Sequence, residues 1–153
     1  GQFNIVRVYD GVLTAEQVLQ NYNAENPPTS TDEEITVNMN QSTLLATSDF
    51  GTYANPGGGS LAAVMIMALP AAGVLEYDTT GIDDWAAVTL YQDISAADID
   101  AGRLRFTPAV GGSGPAYATI GFKVGNGASF STSDHTLTVN VTVVYNGTIF
   151  LFK

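Results

Sequence analysis

The run "TLTVNVTVVYNGTIFLFK" (residues 136–153) decides the fold class. β-Branched and aromatic residues dominate it, and Asn146-Gly147 divides it into two β-rich halves, the strongest short-range hairpin signal. Folding at that turn sets Val143 against Phe150 and Val141 against Phe152 on one face. On the other face it sets Val144 against Ile149 and Thr142 against Leu151. Both faces of the last strand are then apolar, and an apolar edge strand needs a cover. The N-terminal segment, a neighbouring module or a second copy of the chain could supply it.

The same texture runs back to Asp32. Strands are expected at residues 35–38, 61–69, 74–77, 87–92, 104–108, 116–124 and 136–145, separated by Gly, Pro, Asn and Ser. A single helical turn capped by Ser95 is expected within residues 94–102. Short strands in this succession are the signature of an all-β fold, an antiparallel β-sandwich. The glycine loop "NPGGGS" (residues 55–60) lacks the Lys and Ser/Thr of a phosphate-binding loop.

Upstream the pattern changes. "QFNIVRVYD" (residues 2–10) reads as a strand. Thr14 then stands at a helix N-cap with Gln17 three positions on, a capping box that opens a short helix at 15–21, with Leu13 placed to staple onto Val18. "NAENPPTS" ends that helix and reads as an extended linker. The organisation expected is therefore a strand-helix appendage at 1–25, a linker at 26–31 and a sandwich with a C-terminal hairpin at 32–153.

The chain has 153 residues, 45% of them hydrophobic, enough for one real core. Fifteen acids against five bases give a formal charge of -10, which repels a phosphate backbone and excludes nucleic acid from the expected partners. With no cysteine, disulfides, thiolate metal sites and cysteine catalysis are excluded. That composition fits a cytosolic protein and a cysteine-free bacterial surface protein equally. The longest apolar run, "LAAVMIMALPAAGVL", is broken by Pro70 and falls short of the ~20 residues of a membrane helix, so no membrane insertion is expected. No cleavable signal is read, so a secreted form would already be processed.

Three chemistries compete with plainer readings of the same residues. Calcium takes about six to eight oxygens, preferably carboxylates gathered from loops. The candidates are Asp32, Glu33 and Glu34 at the domain entrance, Asp49, and the pair Asp98 and Asp100. Against them stands the reading that acids on loops of so acidic a protein are simply solvated. Carbohydrate binding would use Trp85 with Asp83, Asp84 and Tyr91 near it in sequence, because sugar C–H faces stack on rings while hydroxyls need polar partners. A lone Trp in a sandwich is more often core, and core is the preferred reading. Ser133-Asp134-His135 has the letters of a catalytic triad, but consecutive strand residues point in alternating directions and cannot form one. Adjacent Asp83 and Asp84 cannot flank a glycosidic bond. No catalytic residue is assigned, and no enzymatic activity is expected.

Two resemblances add to this. "IVRVYDGVLTAEQVLQNYNA" (residues 5–24) resembles the closing strand and short helix of laminin-G-like, concanavalin-type lectin domains, which implies a larger domain upstream. "TSDFG" (47–51), "LAAVMIMALPAAGVLEYD" (61–78), "ISAADIDAGRLRFTPA" (94–109), "ATIGFKVGNG" (118–127) and "HTLTVNVT" (135–142) together resemble a bacterial cadherin-like repeat of large adhesins. That resemblance implies an immunoglobulin-like sandwich, an extracellular or cell-surface location, and calcium at module junctions. The chain departs from it at Gly125-Asn126-Gly127 and Tyr53-Ala54-Asn55, where the family carries acids, and along "TTGIDDWAAVTLYQ" (79–92). The function expected is a non-catalytic adhesion or spacer module whose partners are neighbouring modules of the same polypeptide. Two alternatives stay open: a filament subunit that self-associates by strand exchange through Phe3, Ile5, Ile149, Phe150, Leu151 and Phe152, and a polysaccharide-binding module accessory to a degrading enzyme.

Overall fold

Along residues 135–142 the side chains alternate: Leu137, Val139 and Val141 are buried, while Thr136, Thr138, Asn140 and Thr142 look outward. That period of two makes the segment a strand with one apolar face. The computed structural model describes residues 11–144. The strand read at 2–10, the hairpin turn at Asn146-Gly147 with its cross-strand pairs, and the exchange residues Phe3, Ile5, Ile149, Phe150, Leu151 and Phe152 lie outside the described residues.

Nine strands are described: β1 (Glu33–Asn38), β2 (Thr43–Leu44), β3 (Ala63–Ala68), β4 (Val74–Asp78), β5 (Trp85–Ala87), β6 (Asp93–Ser95), β7 (Leu104–Thr107), β8 (Gly114–Gly125) and β9 (His135–Thr142). They form two sheets, one ordered β1-β9-β8-β3-β6 and the other β2-β7-β4-β5. Every pairing is antiparallel except β1 with β9, a departure from the fully antiparallel expectation. The sheets share one core. Val64, Ile66, Ile120, Phe122, Val124, Leu137 and Val139 come from the first sheet, and Leu75, Leu104 and Phe106 from the second. Phe50 closes one side, its ring edge-on to Phe122 at 5.2 Å. Each such side chain contributes about 1.5–3 kcal/mol by leaving water. Gly73, at φ +76, makes the turn into β4, and a side chain there would collide with the Phe106 ring.

Two helices accompany the sheets, α1 (Ala15–Glu25) and α2 (Ala96–Asp100), with a 3₁₀ turn at Thr47–Phe50. The Thr14 hydroxyl accepts from Gln17 N at 3.2 Å and Gln17 Oε1 accepts from Thr14 N at 2.9 Å, the capping box that the sequence announces. α1 runs past the expected residue 21 to Glu25, because nothing breaks it before Pro27-Pro28. Ser95 caps α2 by accepting from Asp98 N.

Residues 26–31 are strapped down rather than extended freely. Thr29 and Ala54 exchange backbone hydrogen bonds of 2.8 and 2.9 Å, and Ser30 Oγ donates to Phe50 O at 2.6 Å. The expected strand 87–92 is replaced by β5 and β6 on either side of a turn. Gln92 Oε1 captures Thr89 N at 2.9 Å there, and Tyr91 takes a left-handed φ of 63. An amide side chain offering the backbone a local partner outweighs strand propensity at that point.

Candidate functional site

The register of the smaller sheet sorts its side chains. Leu75, Leu104 and Phe106 point into the core, so Glu76, Arg105 and Thr107 point out. Glu76 and Arg105 are direct cross-strand partners, and Arg105 Nε meets Glu76 Oε2 at 2.8 Å. Thr107 Oγ1 donates to the same carboxylate oxygen at 2.8 Å, and the Ser42 hydroxyl pairs with Thr107 at 2.8 Å. Hydrogen bonding by the Arg105 guanidinium, against burial and with help from Thr107, holds the Glu76 carboxyl below its usual range.

Trp85 corrects the core reading. It stands opposite Asp78 in register, on the same outer face, and its ring lies against Arg105 with Cζ 4.0 Å from the ring centroid. The residue is half-buried and absent from the core. The physical reason is parity: β4 alternates Leu75-in, Glu76-out, Tyr77-in, Asp78-out, so a partner of Asp78 cannot face inward. Tyr91 does not join it, since Tyr91 N is bonded to Ile66 O on the other sheet.

Beside Trp85 the loop 79–84 is pinned by one carboxylate. Asp78 is 3% exposed; its Oδ1 accepts from Thr80 N, Thr80 Oγ1 and Gly81 N, and its Oδ2 accepts from Asp83 N, all within 3.0 Å. Burial pushes its pKa up, but those four hydrogen bonds to the charged form outweigh burial and hold it at about 2. The loop presents Ile82 at 79% exposure, with Asp83 at φ 63 and Asp84 also exposed.

The acids nominated for calcium are dispersed. Asp32 Oδ1 accepts from Thr136 N at 2.8 Å, Glu33 Oε1 from Glu34 N at 3.2 Å, and Glu34 Oε1 from Asn140 Nδ2. Asp49 Oδ2 accepts from Ala46 N at 2.8 Å and closes the 3₁₀ turn, while Asp100 Oδ1 accepts from Thr47 Oγ1 at 2.8 Å. Asp98 accepts from Tyr77 OH and Ser95 Oγ at 2.7 Å and from Arg103 at 2.8 Å. The Tyr77 hydrogen bond leads the causes that lower the Asp98 pKa; burial first, and then Asp98, raise that of Tyr77. Among the described residues no three His, Asp or Glu side chains gather where they could hold a metal.

The chain matches no protein-family model, no curated protein and no solved structure. Geometry alone therefore assigns the roles. Ser133, Asp134 and His135 act separately: Ser133 O accepts from Ser131 Oγ at 2.9 Å, Asp134 lies 3.5 Å from Lys123 Nζ, and His135 Nε2 accepts from Ser30 N at 3.3 Å. No helix among the described residues is long and apolar enough to cross a membrane.

Of the row Trp85, Arg105, Glu76, Thr107, sequence reasoning nominated Trp85 and missed the other three. Their signal was present in "VLEYD" and "LRFT", whose alternation puts Glu76 and Arg105 on the polar face, but only the cross-strand register makes them partners.

Proposed function

We propose that the chain is a non-catalytic adhesion or spacer module of a bacterial surface or secreted protein, an immunoglobulin-like, cadherin-like sandwich working outside the cell. The observation that supports this most is the parallel pairing of β1 with β9, in register from Glu33↔Leu137 to Asn38↔Thr142. Because the two strands run the same way, the chain enters β1 at one end of the sheet and leaves β9 at the other. The eight residues of β9 span about 26 Å between those ends. A pull along that axis loads the whole ladder in shear, so its hydrogen bonds must give way together rather than one after another. The outer face of the same pair carries Glu34, Thr36, Thr138 and Asn140, a solvated polar surface suited to spacing. Calcium stiffening belongs to this reading through the resemblance and through the exposed acids Asp32, Glu33 and Glu34 where the chain enters β1.

Single-molecule pulling on the full chain tests the reading. One cooperative high-force rupture is expected, and it should disappear when a Thr36→Cys, Asn140→Cys disulfide bridges these register partners and shields the ladder. A rupture force indifferent to that cross-link would sink it.

A further inference from the structure

We infer that the outer face of the β2-β7-β4-β5 sheet is a binding platform for neutral polysaccharide, with the Trp85 indole as its stacking surface. Arg105 is only 26% exposed along its side chain, because its Nε is held down on Glu76 and the indole lies against its guanidinium. One face of the ring is thus occupied, and the half-buried Trp85 stands on the edge strand β5, beside the exposed loop 79–84. Residues facing the same way extend this surface across the sheet. Leu44, opposite Arg105 in register, is 57% exposed, and Val74, opposite Thr107, is 44% exposed.

The result is a flat mosaic of apolar and hydrogen-bonding groups, and a hexose ring carries the same mosaic. Its axial C–H face stacks on an indole, while its equatorial hydroxyls seek donors and acceptors in the plane beside it. Arg105 offers the guanidinium N–H groups that Glu76 does not use, Glu76 offers a carboxylate, and Ser42 and Thr107 offer hydroxyls. These groups are fixed before any ligand arrives: strand register places them, Glu76 clamps Arg105, and Asp78 pins the neighbouring loop. Preorganisation of this kind lowers the ordering cost of binding. Arg105 and Thr107 are two residues apart on β7, about 6.6 Å, so the row beside the indole extends the polar surface by about the length of one sugar. The formal charge of -10 selects a neutral polymer over an acidic one.

The test is native affinity electrophoresis of the whole chain through gels containing hydroxyethyl cellulose, glucomannan or galactomannan, with alginate as the acidic control, alongside tryptophan emission. Trp85 is the sole tryptophan, so the emission reports on the platform itself. Retardation by at least one neutral polymer with a shift in emission is expected. Trp85→Ala should weaken retardation about tenfold or more with an unchanged far-ultraviolet spectrum, and Trp85→Phe should keep part of it. If Trp85→Ala fails to fold, Glu76→Gln serves instead: it removes the clamp from Arg105 and should weaken retardation. Unretarded wild-type migration in all three neutral gels, retardation by alginate alone, or wild-type retardation in the folded Trp85→Ala variant would each overturn the inference. None of these outcomes depends on the mechanical reading of β1 and β9.

Discussion

Asn126 Nδ2 donates to Asn55 Oδ1 across 3.5 Å, joining the loop before β3 to the loop after β8. These are the two places where the chain departs from the acids of the cadherin-like pattern. Asn126 Oδ1 also accepts from Ala128 N and Ser129 N at 2.9 and 2.8 Å, and Ser129 Oγ donates to Asn23 O of α1 at 2.9 Å. Neutral amides and a hydroxyl thus fasten the helix to the end of the sheets.

Gly57 is part of that fastening, because a side chain there would overlap Asn23 Oδ1 and crowd the Tyr22 ring. Gly57→Ala is expected to lift α1 away while leaving the core intact. Hydrogen exchange should show faster exchange across residues 15–25 with β8 and β9 protected as before. Unchanged protection of α1 would mean that the contact does not hold the helix.

This joint, unlike the acidic entrance to β1 at Asp32, Glu33 and Glu34, is made of neutral groups and has no intrinsic demand for a cation. Protection of α1 is expected to be equal in chelator and in millimolar calcium. Protection that appears only with calcium would show that carboxylates, and not Asn23, Asn55 and Asn126, close the joint.

Acid should unfold this protein through a few specific carboxylates. Glu76, Asp78 and Asp98 all have folded-state pKa values below their ordinary ones, Asp78 at about 2. For a depressed pKa the stabilisation is fully present above the unfolded value and is lost as pH falls through the folded one. Stability should therefore hold down to about pH 4.5 and fall steadily toward about pH 2. Asp78→Asn should lower Tm at neutral pH and flatten that acid limb. Tyr77, with its pKa raised, should add an alkaline loss above about pH 10, absent in Tyr77→Phe. Thermal melts across pH check both limbs.

Phe122 is fully buried between Phe50 and His135, with ring centroids at 5.2 and 5.6 Å. Phe122→Ala should cost about 3–5 kcal/mol in a denaturant titration, with m unchanged if the fold survives. A cost below about 1 kcal/mol would show that the two sheets are not packed on this ring.

Most of the β-content was legible because alternation is local: "VLEYD", "LRFT" and "HTLTVNVT" each show a buried face by themselves. β2 was missed because two residues carry no period, and the 3₁₀ turn at Thr47–Phe50 because its cap, Asp49 to Ala46, looks in sequence like any polar loop. The site was less legible. Trp85 reads as core until its pairing with Asp78 reveals which way it faces, and pairing is a property of two distant segments. The six acids nominated for calcium were identified by type alone, whereas their hydrogen-bond partners lie on other elements.

Asp32 and Thr136 are 104 positions apart, and they sit where β1 meets β9. During synthesis, β1 emerges from the ribosome long before β9, its neighbour in the sheet among the described residues, has been translated. Loop closure over that span carries an entropic cost that local contacts cannot offset early. The five-stranded layer can close only once residue 142 is free of the exit tunnel, so until then the exposed edge of β9's future partner must be tolerated or chaperoned by the cell.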